Sequence, residues 1–484
     1  MKGGKRYNMR NKYSYICYGI IIALFCLSNN ISYAHETEKQ YIVEFTKDVA
    51  LFDLRSESEP TVNVLTEDEL KECIDAGIVE WYEEDYEVVL LNEDSSGSQE
   101  TNIIDQTNDL KWDLSMINVG KAKNILCEGQ NVKVGIIDSG INNHPDLKDN
   151  IQQGYDYLNL TNDVTDNIGH GTFVGGLIAA NNNQMGIVGV ANDTILIPLK
   201  CFDSDEKTTV SIICNAIKDA VDVYDCDIIN MSLGLSNYSQ KLQEHIKYAT
   251  DAGVIVVAAV GNKGTEVLYY PAAYENVIGV GSVNSNYEKS SFSQYNASVD
   301  FVAPGEDVWS TSNDGSYSQK SGTSFSTPLV TGVIATMLNV DSTLTHDEVV
   351  SLLAETATVK NEWSEDDTKY IKNDNYGYGL INCENCLNLM LKEHTYFISP
   401  IDCEGTETQI AIINNSESDF VGYCMWGEYT IRGMKSMDWE YVSIPSGGFV
   451  IADTNITSNK IKCFLWKSIN DISVVTDFRE TEAN

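Results

Sequence analysis

Three short motifs carry side chains that together could perform nucleophilic catalysis. Asp138 ends the apolar run VKVGIID, His170 lies between two glycines, and Ser324 follows a Gly-Thr pair. A serine nucleophile needs a base that takes its proton and a carboxylate that holds this base. Each residue alone has an ordinary alternative as a turn or helix-cap residue. Their combination predicts acyl-transfer chemistry.

A fourth motif supplies an amide donor. The apolar run that ends at Val260 is followed by Gly261 and Asn262. This order places a side-chain amide at the end of a predicted strand. A donor at such a place can stabilise the oxyanion that forms when a carbonyl carbon is attacked.

The motifs Asp-Ser-Gly, His-Gly-Thr and Gly-Thr-Ser-x-x-x-Pro, in this order, resemble the subtilisin family of serine proteases. The resemblance covers roughly residues 112–390. It implies that Ser324 attacks the scissile carbonyl, that His170 transfers the proton and that Asp138 orients the imidazole. It also implies an oxyanion hole formed by the Ser324 N–H and the Asn262 side chain. The expected activity is that of a secreted serine endopeptidase, made as a zymogen, which hydrolyses peptide bonds.

The same resemblance implies how a polypeptide substrate binds. An extended peptide would add a strand to the enzyme and place the residue before the scissile bond, P1, in a pocket. The implied substrate-binding residues are Ser232, Leu233, Gly234, Ala259, Val260, Gly261 and Lys263. Because Lys263 directly follows Asn262, we hypothesise that it favours acidic or polar P1 residues.

A structural calcium ion is a further implication of the resemblance. Asp146 matches the family's ligand carboxylate, and the loop 181–187 matches its calcium-binding loop. The implied ligands are the side chains of Asp146 and Asn183 and the backbone carbonyls of Asn181, Met185 and Ile187. Oxygen ligands from a loop and one carboxylate suit calcium. An ordinary asparagine-rich turn is the alternative.

Four residues beside the motifs depart from the family's common pattern. Phe173 and Gly175 stand where histidine and alanine are usual, and Phe325 and Ser326 stand where methionine and alanine are usual. None of these changes removes a catalytic group. They leave the reaction as predicted and put specificity and rate in question.

The apolar pattern predicts the elements that position these residues. Between about 112 and 390, short apolar strands alternate with amphipathic helices; the predicted strands are 132–137, 195–199, 228–231, 254–260 and 277–283. This alternation predicts an α/β fold with a mostly parallel sheet sandwiched by helices. In such sheets the reactive groups collect at the carboxyl ends of the strands.

The flanking regions have different patterns. Residues 35–93 read as a small α+β unit that resembles the family's propeptide, and a polar linker at 94–110 is the expected place of maturation. After about residue 395 only strand-like segments recur. The predicted domains are a signal peptide (1–34), an inhibitory and chaperone propeptide (35–104), a subtilisin-like peptidase domain (105–393) and a C-terminal β-sandwich-like domain (394–484).

Composition restricts location and partners. The 484-residue chain begins with a basic segment and an apolar run, 16–27, which is typical of a secretory signal. A formal net charge of −39 argues against nucleic acid as a partner and suits calcium. The expected partners are polypeptide substrates and the chain's own propeptide, with no membrane association after signal cleavage. A secreted monomer is expected, and attachment to the cell surface stays open, as does the pairing of the twelve cysteines.

Three other functions remain open at this level. A catalytically inactive relative would bind peptides without cutting them. A surface adhesin would depend mainly on residues 395–484. An ester hydrolase would use the same three catalytic residues, although the segment from Ser232 to Gly234 favours a peptide substrate.

Overall fold

A computed structural model describes most of the chain between residues 39 and 480. The described residues are 39–46, 62–91, 100–101, 112–119, 131–183, 186–360, 372–392, 396–398, 408–414, 418–430, 433–446, 449–454, 461–468, 471–474 and 479–480. The predicted signal peptide, most of the linker at 94–110 and the predicted ligand Met185 lie outside the described residues. Among the described residues, no helix combines the length and apolar character that crossing a membrane requires.

The N-terminal unit, residues 39–91, is a small antiparallel sheet with one helix. Its elements are β1 (Gln40–Phe45), β2 (Asn63–Thr66), α1 (Glu67–Asp75), β3 (Val79–Glu84) and β4 (Glu87–Leu90). β1 pairs with β2 and β3, as expected for the predicted α+β unit. Thr66 and Glu69 form a capping box that begins α1. β4 leaves this sheet and pairs elsewhere.

The central region contains the predicted α/β domain. In chain order its elements are β5 (Glu100–Thr101), α2 (Trp112–Met116), β6 (Lys133–Asp138), β7 (Tyr155–Asp156), α3 (His170–Ala179), β8 (Ile195–Lys200), β9 (Lys207–Thr209), α4 (Val210–Asp222), β10 (Ile228–Met231), β11 (Leu233–Gly234), α5 (Gln240–Asp251), β12 (Ile255–Ala259), β13 (Val277–Val283), β14 (Phe301–Pro304), β15 (Val308–Thr311), β16 (Tyr317–Lys320), α6 (Thr323–Val340), α7 (His346–Thr356) and α8 (Cys383–Lys392).

Seven of these strands form one parallel sheet in the order β14-β13-β12-β10-β6-β8-β7. The five predicted strands are confirmed to within one residue at each end, and the prediction missed β7 and β14. All residues of α3 and α6 are buried, and both helices pack on the sheet. Strands and helices that are covered on all sides explain why the sequence shows continuous apolar runs there.

In the C-terminal unit, between residues 396 and 480, all secondary-structure elements that the described residues form are strands. They are β17 (Tyr396–Ile398), β18 (Thr408–Asn414), β19 (Phe420–Thr430), β20 (Gly433–Ile444), β21 (Phe449–Thr454), β22 (Ile461–Ser468), β23 (Asp471–Val474) and β24 (Arg479–Glu480). They form one three-stranded and one five-stranded sheet around a separate core that includes Ile412, Phe420 and Trp426. The predicted all-β region is confirmed, although the pattern did not reveal β19.

Candidate active site

The end of β6 and the start of α3 bring a carboxylate and an imidazole together. Asp138 is the last residue of β6 and His170 is the first residue of α3, and both are almost completely buried. Nδ1 of His170 lies 2.8 and 2.9 Å from the two carboxylate oxygens of Asp138. This contact puts the imidazole proton on Nδ1 and leaves Nε2 as a proton acceptor. Within the described part of the chain, Nε2 has no hydrogen-bond partner.

A second buried carboxylate, Asp166, fixes the loop before His170. It accepts hydrogen bonds from the hydroxyls of Ser139 (2.8 Å) and Thr172 (2.6 Å) and from the backbone N–H of Gly169 (2.7 Å). Gly169 has φ of +83°, a left-handed conformation that favours glycine. These bonds tie β6 to the first turn of α3 and so set the position of His170. The sequence pattern did not reveal Asp166, whose only local signal is its place four residues before His170.

A buried lysine lies beside the end of β6. Lys200 pairs with Asp138 in the parallel register of β6 and β8. Its ammonium donates hydrogen bonds to the carbonyls of Ser139 (2.7 Å) and Thr165 (2.8 Å). Lys200 was not predicted as a site residue, and in the sheet register it is paired with two buried acidic residues, Asp138 and Asp156.

Ser324 lies in the first turn of α6 and is fully buried. Gly322, with φ of +151°, makes the turn before it. The Ser324 hydroxyl donates to the carbonyl of Ser232 (2.9 Å) and to the carbonyl of Leu91. The Ser232 hydroxyl in turn donates to the backbone carbonyl of Ser324 (2.8 Å). The serine is therefore held against the strand segment that begins at Ser232.

The Asn262 side chain has a defined orientation. Its Oδ1 accepts hydrogen bonds from the backbone N–H (2.9 Å) and the hydroxyl (2.8 Å) of Thr323. Because Oδ1 is occupied in this way, Nδ2 faces the other direction, where it donates to the Leu91 carbonyl at 2.6 Å. One carbonyl oxygen therefore contacts both the Asn262 amide and the Ser324 hydroxyl.

That carbonyl belongs to a segment of the chain that occupies a groove. β4 forms the middle strand of a three-stranded antiparallel sheet between β11 and β9. Leu90 is opposite Leu233, and the Leu91 N–H donates to the Ser232 carbonyl at 3.3 Å. Val88, Leu90 and Leu91 are buried in this arrangement. The sequence pattern assigned residues 35–93 to a small α+β unit and did not predict that β4 pairs with β11 and β9.

The seven predicted substrate-binding residues fall into three groups. Ser232, Leu233 and Gly234 contact or pair with residues 89–91. A Cβ at Gly234 would lie 3.0 Å from Cδ1 of Leu91, so the glycine leaves the space that Leu91 fills. The second group, Ala259, Val260 and Gly261, lies at the end of β12 or directly after it and is buried. The third group is Lys263 alone, which follows β12 and is exposed.

The N-terminal unit also contacts two helix N-termini. Glu83 accepts hydrogen bonds from the Ser239 hydroxyl (2.6 Å) and from the N–H groups of Gln240 and Lys241 (both 3.0 Å) at the start of α5. Asp85 accepts from the N–H (2.9 Å) and hydroxyl (2.7 Å) of Ser211 at the start of α4. Burial raises the pKa of Asp85, and the Ser211 bonds oppose this shift. Both carboxylates supply acceptors for N–H groups that a helix leaves unpaired.

The predicted calcium ligands are only partly brought together. Asp146 is buried, and its carboxylate lies 2.8 Å from the side-chain amide nitrogen of Asn183. The other carboxylate oxygen accepts hydrogen bonds from the Tyr317 hydroxyl (2.6 Å) and the Ile187 N–H (3.4 Å). The Asn181 N–H donates a hydrogen bond to the Asp146 backbone carbonyl at 2.8 Å.

Rotation of the Asn183 amide would turn its oxygen toward Asp146, and such a pair of oxygen atoms fits a calcium ion. Among the described residues, no group of three or more acidic, histidine or cysteine side chains converges on a metal position.

Comparison with known proteins places the chain in a family. The model of the subtilase family, Peptidase_S8, matches residues 129–379. M-protease of Shouchella clausii is 33% identical over an alignment of 377 residues, which covers 75% of this chain and 96% of that protein. Subtilisin BL of Lederbergia lenta is 36% identical over 56% of this chain and 97% of its own length. Subtilisin E of Bacillus subtilis is 40% identical over 53% of this chain and 65% of its own length. The chain belongs to the subtilase family and is a serine-type endopeptidase.

Proposed function

We propose that the chain is a secreted endopeptidase made as a zymogen, with Asp138, His170 and Ser324 as its catalytic triad. The observation that carries this proposal is the Leu91 carbonyl, which contacts both the Ser324 hydroxyl and the Asn262 amide. A carbonyl in this position is where a scissile bond would lie. In the proposed reaction, Ser324 Oγ attacks the carbonyl carbon and its proton passes to Nε2 of His170. Asp138 stabilises the resulting imidazolium, and Asn262 stabilises the oxyanion.

The segment in the groove supports a propeptide role for the N-terminal unit. β4 occupies the place that an extended substrate would take, so an attached N-terminal unit blocks the site. The bond that follows the Leu91 carbonyl is Leu91–Asn92, and we propose it as the first maturation cleavage. This position precedes the linker at 94–110, where the sequence pattern led us to expect it. The wider domain boundaries, with a signal peptide at 1–34 and a C-terminal β-domain at 394–484, form part of the same proposal.

The side chain at the proposed P1 position indicates specificity. Leu91 is buried and fills the space beside Gly234, whereas Lys263 is exposed. This arrangement supports an aliphatic P1 residue and gives no support to the acidic preference inferred from Lys263. Peptides that differ only in Leu or Glu at P1 should show a higher kcat/KM for Leu. Equal rates would contradict the aliphatic preference, and a preference for Glu that Lys263→Glu removes would restore the first hypothesis.

The central test of the proposal is covalent labelling. A fluorophosphonate should label the mature protein at Ser324, and Ser324→Ala should remove both the label and cleavage at Leu91–Asn92. Ser326→Ala is the matched control, because Ser326 is buried in the same helix turn and its hydroxyl bonds to the Ala303 carbonyl. Labelling of Ser326 in place of Ser324 would overturn the assignment. N-terminal sequencing of the mature protein tests the cleavage site separately.

Calcium binding remains part of the proposal and has its own test. Asp146 and Asn183 would hold the ion with oxygen atoms, together with backbone carbonyls of Asn181, Met185 and Ile187, and the ion would lock the loop against Asp146. A chelator should lower the Tm of the mature enzyme, and Asp146→Asn should abolish this effect. Asp149→Asn is the control, since Asp149 is an exposed neighbour. An unchanged Tm in chelator would remove calcium from the proposal.

A further inference from the structure

Lys320, which was not predicted as a site residue, contacts the loop that precedes His170. It is the last residue of β16, and its ammonium donates a hydrogen bond to the Gly169 carbonyl at 3.0 Å. The Gly169 N–H is held by Asp166 at 2.7 Å. The two peptide units that flank Gly169 are therefore both fixed: a carboxylate holds the Ile168–Gly169 unit and a cation holds the Gly169–His170 unit.

Two of the residues that depart from the family pattern connect Lys320 to His170. The ammonium of Lys320 lies 5.1 Å from the centre of the Phe173 ring. Phe173 packs against Phe325 with ring centroids 4.6 Å apart, and Phe325 packs against His170 at 5.4 Å. A cation over an aromatic face is held by the negative face of the ring. Phe173 and Phe325 thus form a buried aromatic wall between the lysine and the imidazole.

The ammonium also belongs to the group of charges around the triad. These charged groups are Asp138 on β6, Asp166 in the loop before α3, Lys200 on β8, Glu206 after β8, and Lys320 on β16. Burial lowers the pKa of Lys320, and the carboxylates of Asp166, Asp138 and Glu206 oppose this shift. The lysine therefore interacts with the same carboxylate that binds Nδ1 of His170.

We propose that Lys320 is a positioning residue. Its ammonium anchors the Gly169 carbonyl, and its positive charge disfavours a further positive charge nearby, on the His170 ring. This inference rests on the proposed role of His170 as the general base. Because like charges repel, removing the Lys320 ammonium should move the acidic limb of the pH profile of kcat/KM upward.

The test is the pH dependence of kcat/KM for the mature enzyme with a peptide that has Leu at P1. Lys320→Gln keeps a hydrogen-bond donor without the charge, and Lys320→Met removes both. We expect both variants to shift the acidic limb upward by about half to one pH unit, the size expected for a partly buried unit charge several ångström away. Lys320→Met should also lose kcat relative to Lys320→Gln, because the Gly169 carbonyl loses its donor. Lys320→Arg keeps the charge and should leave the limb in place.

Lys289 provides a matched control. Like Lys320, Lys289 donates to backbone carbonyls, in its case those of Ser290 (3.3 Å) and Ser293 (3.1 Å). Its ammonium also lies 5.1 Å from the centre of an aromatic ring, that of Tyr295. Burial alone lowers its pKa. Lys289→Gln should leave the pH profile unchanged. An unmoved acidic limb in Lys320→Gln, or an equal shift in Lys289→Gln, would overturn the inference. Failure of the wild-type enzyme to react with a fluorophosphonate would instead overturn the proposed function.

An independent observation in the C-terminal unit concerns two cysteines. Cys424 on β19 and Cys463 on β22 are fully buried, and their sulfur atoms are 3.3 Å apart. In the antiparallel register Cys424 is opposite Leu465, and Cys463 is opposite Trp426. The two side chains therefore share the inner face of the sheet, offset by two residues, within the separate C-terminal core.

We infer that these two residues form a disulfide in an oxidising environment. Each thiol loses its hydrogen, one S–S bond forms, and the two electrons and two protons pass to a low-molecular-weight disulfide, which becomes two thiols. The test uses full-length Ser324→Ala protein, treated with oxidised glutathione and then mapped by mass spectrometry after alkylation without reduction. A peptide pair that joins Cys424 to Cys463 and separates on reduction is expected. Alkylation of both residues would overturn the inference, and Cys424→Ser should leave Cys463 open to alkylation on unfolding.

Discussion

The N-terminal and C-terminal units are both small and rich in strands, but they relate to the peptidase domain in different ways. Ile42, Val88 and Leu90 of the N-terminal unit belong to the same hydrophobic core as the seven-stranded sheet. The C-terminal unit encloses a core of its own, built around Phe420 and Trp426. Burial in a shared core couples the stability of one unit to that of the enzyme, whereas a separate core allows independent unfolding.

Charge reinforces this difference. Glu83 and Asp85 of the N-terminal unit accept hydrogen bonds at the starts of α5 and α4, and Lys241 of α5 pairs with Glu44 at 2.5 Å. The C-terminal unit instead exposes apolar side chains on one sheet face, including Trp439 and Tyr441. The N-terminal unit thus has a surface matched to the enzyme. Four predictions test or sharpen this comparison.

Deleting each unit in turn tests the comparison most directly. Deleting residues 35–91 should reduce the yield of active enzyme by about tenfold or more, because a parallel sheet of high contact order folds slowly without a partner surface. Deleting residues 394–484 should change the yield by less than about twofold if the C-terminal core is independent. Active-site titration with a fluorophosphonate measures both. Equal losses would show that the two units are coupled to the enzyme alike.

The second prediction compares two buried asparagines. Asn262→Ala should lower kcat by about 10²–10³, a loss known for removal of a single oxyanion-hole donor. Asn414 in the C-terminal unit donates to the carbonyls of Ser418 (2.9 Å) and Ile444 (3.0 Å). Asn414→Ala should leave kcat unchanged and destabilise its own unit by about 1–3 kcal/mol, because buried carbonyls lose a donor. A fall in kcat for Asn414→Ala would contradict the separation of the two regions.

The third prediction concerns pH and the carboxyl of Asp113 at the start of the peptidase domain. Burial raises its pKa to about 7, and its carboxylate accepts a hydrogen bond from the Leu114 N–H at 2.8 Å. The folded state keeps a proton that the unfolded state loses, so stability falls as pH rises from about 4 to about 7. Asp113→Asn should remove this slope and raise the free energy of unfolding at pH 8 by about 4 kcal/mol, at about 1.4 kcal/mol per pKa unit. Parallel stability curves for both proteins, measured by denaturant unfolding, would contradict it.

The smallest expected effect is at the helix caps. Glu83→Gln and Asp85→Asn should each weaken the docking of the N-terminal unit by about 1 kcal/mol, because an anionic acceptor is lost at a helix N-terminus. Faster amide hydrogen exchange in β3 and β4 of Ser324→Ala protein would report this. Glu87→Gln is the control, since Glu87 makes an exposed ion pair with Lys207 at 3.0 Å. An effect of Glu87→Gln as large as that of the caps would point to general charge in place of capping.

Much of the peptidase domain could be predicted because its signals are local. Strands such as 228–231 and 277–283 are continuous apolar runs, and the segment at 133–138 ends in the Asp138 motif. β14 and β7 were missed because Phe301–Pro304 and Tyr155–Asp156 are too short to show a period. β19 was missed because Gly422 and Gly427 interrupt its apolar pattern. Asp166 and Lys320 were missed because a lone charged residue in a loop or at a strand end gives no periodic signal.

The sequence by itself determined the reaction type, since the order and glycine surroundings of Asp138, His170 and Ser324 belong to short stretches of chain. Only the tertiary structure brought Leu91 to Asn262 and Ser324, residues that are 171 and 233 positions away. It also placed Lys320 on Gly169, 151 positions away. Such contacts depend on which strand edge stays open and on which loops pack together. They are set by packing over the whole domain and not by local residue pattern.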